Sequence, residues 1–232
     1  MNDMKRRGGR GPGKGVRLWL WGALAVLLAA APVGARAKGS VSTRTLEGDQ
    51  LKAAYETLLG SDPAWKALVD GAVTMGYSPT TRWSNGQWGL QGTVNLNGKA
   101  VSVAWYVFDL DQVGSPDAAA LQYLTDGTRV YRVLDIAQNR DPDSMRELTV
   151  SGAPGSYRLK RAPGFWACLR GSLDAACGET CGAALGGCNQ NATQQPGVFS
   201  LAAYLGCLSD DCDECLVGQA VTCAFPPAAS KP

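Results

Sequence analysis

The side chains with the most chemistry available to them are eight cysteines: Cys168, Cys177, Cys181, Cys188, Cys207, Cys212, Cys215 and Cys223. No cysteine precedes them, and their spacing is C-x8-C-x3-C-x6-C, eighteen residues, then C-x4-C-x2-C-x7-C. Thiols grouped in this way can form disulfides, hold a metal or exchange electrons. On helices, Cys177, Cys181 and Cys188 share one face, and Cys212, Cys215 and Cys223 share another. Two such stripes on neighbouring helices can be stapled, because bridged residues need Cα atoms roughly 4.4–6.8 Å apart. The even number and tight confinement point to a disulfide framework and a degenerate internal repeat. Four bridges allow about a hundred connectivities, and spacing does not choose among them.

Zinc is the competing chemistry, since Cys212-x2-Cys215 has zinc-like spacing. The chain has no histidine, and its first cysteine cluster offers C-x3-C instead, so neither a metal nor a cofactor is expected. A redox-active Cys212 would need a depressed thiol pKa, yet Asp210, Asp211, Asp213 and Glu214 surround it and would raise that pKa. The missing histidine also removes Ser-His-Asp triads, Cys-His pairs and HExxH zinc sites. Carboxylate-pair catalysis is the acid–base chemistry left open. Asp126-Gly127-Thr128 superficially matches an acidic-protease signature but stands where a hairpin turn is expected, and Asn191-Ala-Thr193 fits a glycosylation acceptor by chance spacing. The expectation is a protein that is not an enzyme and has no catalytic residues.

A second set of candidates is aromatic. Trp83, Trp88, Trp105, Tyr106 and Phe108 lie in expected strands, and Phe165 and Trp166 at the entry to the cysteine region. In a strand, Trp105 and Val107 point one way and Tyr106 and Phe108 the other. Trp105, Tyr106, Phe108, Phe165 and Trp166 are therefore candidates for an interface, either between two parts of one chain or with a second copy.

The elements that position these residues follow from periodicity. Leu51, Ala54, Tyr55, Leu58 and Leu59 recur at helical spacing across Asp49–Leu59. Ser61-Asp62-Pro63 then starts a second helix, Ala64–Met75, with an expected buried stripe of Trp65, Leu68, Val69 and Val73 and a weak point at Gly71. Residues 38–44 look polar and frayed. From Thr81 the period becomes that of strands, punctuated by Asn85-Gly86, Asn97-Gly98 and Asp126-Gly127 turns. The strands run over Gln87–Leu96, Lys99–Leu110, Ala118–Leu124, Thr128–Ile136, Glu147–Val150 and Tyr157–Lys160. Val101, Val103, Trp105 and Val107 are the apolar face expected to meet the two helices. Beyond Pro163, Trp166–Gly187, Val198–Leu208 and Asp210–Val221 read as helices, with a polar loop over 189–197 and a loose end, PPAASKP. The fold class is α+β: two helices and an antiparallel meander over 38–163, then a small all-α disulfide-rich domain over 164–232.

Residues 1–37 read differently. Lys5, Arg6, Arg7, Arg10, Lys14 and Arg17 precede the uncharged run Leu18–Ala31, and Pro32, Gly34 and Ala35-Arg36-Ala37 follow it. That is the three-part pattern of a secretory signal peptide, with cleavage expected after Ala37 and the product secreted or at the cell surface. Residues 38–232 then carry 15 basic and 19 acidic side chains, a formal charge of −4. No basic stripe suits a nucleic-acid partner.

The cysteine region resembles halocin-type, disulfide-rich bacteriocin precursors of archaea and bacteria. Cys168 to Cys223 carry the resemblance, especially Cys177-x3-Cys181 and Gly186-Gly187-Cys188 among small residues. Such precursors join an export signal, a mixed α/β pro or immunity-like region and a C-terminal antimicrobial domain. The resemblance implies a secreted carrier of a bioactive disulfide domain, with a target-cell membrane as a candidate partner. The alternatives are an extracellular subunit that self-assembles into a ring or filament, and an envelope-associated binding protein.

Overall fold

The computed structural model describes residues 42–79, 87–96, 98–162, 164–178, 181, 183–184, 186–188 and 201–226. The expected signal peptide, Trp83, the Asn85-Gly86 turn, Asn97, the 189–197 loop with its Asn191 triplet and all but the first residue of the PPAASKP end lie outside the described residues.

Strand β1 (Ser42–Leu46) leads into helices α1 (Gly48–Ser61) and α2 (Pro63–Thr74), then a short β2 (Ser78–Pro79). The meander follows as β3 (Gln87–Leu96), β4 (Lys99–Asp111), β5 (Ala118–Thr125), β6 (Val130–Ala137), β7 (Met145–Ser151) and β8 (Arg158–Arg161). Helices α3 (Phe165–Ala176) and α4 (Leu201–Ala224) complete the chain. Every strand pair is antiparallel, in the order β1-β3-β4-β5-β6-β7-β8, with β2 on β4. The fold is α+β: a two-helix region, an antiparallel sheet and a small helical C-terminal domain closed by four disulfides.

Asp62 joins local to tertiary structure. It caps α2, its Oδ1 accepting the N–H groups of Ala64 and Trp65 at 3.0 and 3.1 Å, while Pro63 occupies the first turn. Such a cap contributes about 1 kcal/mol. Its Oδ2 accepts from Arg132 Nε of β6 at 2.6 Å, tying the start of α2 to the sheet.

Four expectations change. Residues 42–44, part of the 38–44 stretch expected to fray, belong to an edge strand that runs on to Leu46: Arg44 pairs with Gln91, and Leu46 is buried. Val73, expected in the buried stripe of α2, is half exposed, and Ala72 takes the inward position. Helices α1 and α2 cover the Tyr106, Phe108 and Leu110 face of β4, not the Val103, Trp105 and Val107 face. The wide aromatics of the first set fill the gap against Tyr55 and Trp65, with Phe108 ring centroids 5.0 and 5.7 Å from those two rings. Finally, the last two expected helices are one run, broken at Cys212 (φ −140°) and not at Ser209.

Candidate functional site

The cysteines form a ladder. Cys168 bonds Cys223, Cys177 bonds Cys215, Cys181 bonds Cys212 and Cys188 bonds Cys207, so the first cysteine meets the last and each pair nests inside the one before. All four Cα–Cα separations are 5.7–5.8 Å, the spacing of two adjacent chain segments held side by side. No cysteine is free. Cys212 and Cys215, the pair with zinc-like spacing, are thus in separate bridges. Nesting explains why spacing could not reveal the pairing: a nested and a crossed set of helical stripes have identical sequence periods.

This hairpin lies on the sheet face that α1 and α2 leave open. Leu169 and Leu173 of α3, with Leu216, Val217, Ala220 and Val221 of α4, form one buried cluster with Trp88, Leu90, Val103, Trp105, Val107 and Leu124. Trp88 meets Trp105 edge-on at 5.2 Å, and Phe165 stands 6.2 Å from Trp105 and 5.1 Å from Tyr131. Trp105, Phe165 and Trp166, three of the five interface candidates, therefore come together between sheet and hairpin. Tyr106 and Phe108 lie on the other face under α1 and α2, 7% and 1% exposed. All five are buried within the same chain.

A polar row crosses the otherwise apolar contact. Trp105 Nε1 donates to Gln122 Oε1 at 2.8 Å, and Gln122 Nε2 donates to Asp135 Oδ2. Asp135 on β6 pairs in register with Glu147 on β7, and both are buried. Glu147 Oε1 accepts the N–H of Trp166 at 2.5 Å. Gly164, at the N-terminal boundary of α3, has no side chain to cap it, so the sheet supplies the carboxylate that the helix lacks.

Burial pushes the Asp135 carboxyl well above the ordinary aspartate value, the neighbouring Glu147 adds to the rise, and the Gln122 hydrogen bond opposes it. Burial raises Glu147 too, against the Trp166 and Phe165 N–H groups and the Arg161 guanidinium, which favour its charged form. Both carboxyls are thus shifted toward the neutral form, Asp135 the more strongly, while the α3 N–H groups and Arg161 favour charge on Glu147 alone. Tyr131 is also raised, by burial and by both carboxyls, and its hydroxyl has no hydrogen-bond partner among the described residues.

Beside Glu147 a cleft of about 450 Å³ opens to solvent, lined by Asp143, Arg161, Ala162, Trp166, Arg170 and Asp174 among others. Arg170 is paired with Asp143 across it. Asp126-Gly127-Thr128 forms the β5–β6 turn, with Asp126 Oδ1 accepting from Thr128 and Arg129 and Gly127 at φ 84°.

Gln122, Asp135 and Glu147 were not singled out from sequence. Gln122 and Asp135 left a faint signal, each a lone polar side chain in the apolar runs ALQYL and VLDIA, whereas Glu147, beside Arg146 in MRELT, left none. No known family, no curated protein and no solved structure matches this chain.

Proposed function

We propose that this is an exported, non-enzymatic carrier protein whose α+β part folds with, and covers, a bioactive disulfide hairpin of the halocin type. One observation carries the reading. The four bridges all close within Cys168–Cys223, so no disulfide joins the hairpin to the sheet. The hairpin is covalently self-contained, yet its apolar face is buried against Trp88, Trp105 and Leu124 of the same chain. A module destined to stay in place would be stabilised as well by staples across the contact as by staples all on its own side. One that must persist after separation needs them there, because a core of some sixty residues is marginal without them.

The self-assembling alternative requires Tyr106 and Phe108 at a surface, where burial under α1 and α2 disfavours it. In the carrier reading the masked face of the hairpin is the active one, directed at a target-cell membrane. The test applies the oxidised chain 38–232 to a panel of bacterial lawns, intact and after nicking between sheet and hairpin. Growth inhibition should appear with the nicked sample alone. Equal activity of the intact chain, or inertness of both, would remove the proposal.

A further inference from the structure

The strand that joins the sheet to the hairpin carries its own signal. It reads Arg158-Leu159-Lys160-Arg161, and after Arg7 the pair Lys160-Arg161 is the one place in the chain where two basic residues adjoin. These four residues are β8, the last strand of the sheet, hydrogen-bonded to β7 on one side. Arg158, Lys160 and Arg161 are exposed, and none makes an ion pair with another described residue. Basic side chains on an edge strand can serve simply to deter edge-to-edge pairing. Here, however, three of four positions are basic, and the last of them borders the open cleft together with Ala162 and Gly164.

We infer that Arg161–Ala162 is a processing site for an endopeptidase whose subsites take paired basic side chains. Such enzymes bind their substrates extended, as an added strand, and select them by the side chains along it. β8 is already extended, its outer edge pairs with no strand among the described residues, and it displays Arg161 next to the bond with Lys160 and Arg158 before it. Leu159 alone is held inward, against α2. Ala162 itself is buried, so the site must open locally: the hydrogen bond from Ala162 N to the Glu147 carbonyl oxygen, 2.9 Å long, breaks together with the pairing of the end of this four-residue strand to β7. Short terminal strands open at low cost relative to the core.

Cleavage is a hydrolysis and needs only water as co-reactant. The Arg161–Ala162 amide bond breaks, Arg161 gains the oxygen and becomes a carboxylate, and Ala162 becomes an ammonium. Every cysteine lies on the Ala162 side, so the product keeps all four bridges and is attached to the sheet by packing and hydrogen bonds alone. The purpose of the cut rests on the carrier reading, whereas its chemistry rests on β8.

The experiment incubates oxidised chain 38–232 with a kexin-type endopeptidase specific for Lys-Arg and follows it by intact mass. A single new N-terminus at Ala162 is expected. In Lys160→Gln and, separately, Arg161→Gln chains the rate should fall roughly a hundredfold or more. Both side chains are exposed, and a bridge map of each variant verifies folding. If the native chain resists while its reduced and denatured form is cut, β8 is closed to such enzymes and the inference fails. It also fails if inhibitory activity emerges from a nick elsewhere, such as Gln138–Ser144, with Arg161–Ala162 intact. A clean cut that yields an inert fragment upholds the site and instead ends the carrier reading.

Discussion

On one face of the sheet, α1 and α2 bring Leu51, Tyr55, Trp65 and Leu68 against Tyr106, Phe108, Leu121 and Tyr123; on the other, the cysteine hairpin meets Trp88, Trp105, Val107 and Leu124. The first contact is a mesh of rings, with Trp65 5.6 Å from Tyr123 at right angles and Tyr55 5.0 Å from Phe108. Its helices follow the edge strand β1 directly and need no covalent help. The second contact is also apolar in its core but is crossed by Gln122, Asp135 and Glu147, and its helices are cross-linked to each other. Apolar packing is indifferent to pH and to redox state; bridges and buried carboxyls are not. The two faces should therefore fail under different conditions.

Reduction should divide them most sharply. Each bridge contributes roughly 3 kcal/mol in the chain-entropy account, so losing four removes most of what holds so small a helical unit together. Hydrogen exchange after dithiothreitol should show amides of α3 and α4 losing protection while β3 to β6 keep theirs. Simultaneous loss everywhere would mean that the two faces unfold as one cooperative unit, and the distinction drawn here would collapse.

Phe108→Ala attacks the opposite face. Phe108 is almost fully buried between Tyr55 and Trp65, and truncating such a ring costs about 3–5 kcal/mol. Urea denaturation should register that loss. Peptide mapping should still find Cys168–Cys223, Cys177–Cys215, Cys181–Cys212 and Cys188–Cys207, because Phe108 belongs to the cluster under α1 and α2 and not to the one that holds the hairpin. Scrambled bridges would show instead that the α1–α2 face must be sound before the hairpin pairs correctly.

These contrasts mark how far residue patterns alone could be read. The strands from Gln87 onward were legible because β-branched and aromatic residues alternate between glycine-bearing turns, and the expected ends fall within two residues of those observed. The Asp62–Pro63 start of α2 was legible for a similar reason: its capping chemistry is local. Which face each helix pair would cover was not legible, since both faces of β4 are apolar and a period of two marks faces without naming their partners. Asp135 and Glu147 stayed hidden because a carboxylate in a strand ordinarily points to water. Their pairing depends on the β6–β7 register, which is a property of the assembled sheet.

The buried carboxyl yields a pH test of the hairpin face. Folded Asp135 holds its proton well above the ordinary value of 3.8, at which the unfolded chain releases it. Through that window the folded state binds more protons than the unfolded one, so stability falls as pH rises from about 4 toward the folded value. Asp135→Asn imitates the neutral acid and can still accept from Gln122. Its stability should lie within about 1 kcal/mol of the parent at pH 4, and this part of the decline at higher pH should vanish, leaving the variant the more stable at pH 8. Parallel curves for the two proteins from pH 4 to 8 would show that Asp135 does not carry the proton assigned to it.

The smallest effect expected concerns the join between the faces. Gly71 stands in the middle of α2, where alanine would ordinarily be favoured by about 1 kcal/mol. A Cβ there would lie 2.8 Å from Leu159 Cδ1, 3.1 Å from Cγ and 3.2 Å from Cδ2, so the branched end of Leu159 cannot simply swing clear. Overpacking of that kind costs roughly 1–3 kcal/mol. Gly71→Ala should therefore be neutral to destabilising by about 1 kcal/mol overall, with its effect concentrated on β8, whose Leu159 is the side chain displaced. The amides of 158–161 should exchange faster, and cleavage after Arg161 should quicken, while the ring mesh around Phe108 is unchanged. Leu159→Ala removes the obstacle, so adding Gly71→Ala to that variant should recover the helix-propensity gain, a coupling that a double-mutant cycle reads directly. Stabilisation by Gly71→Ala alone, equal to that seen beside Leu159→Ala, would mean that β8 is not braced on α2 and that the strand opens for some other reason.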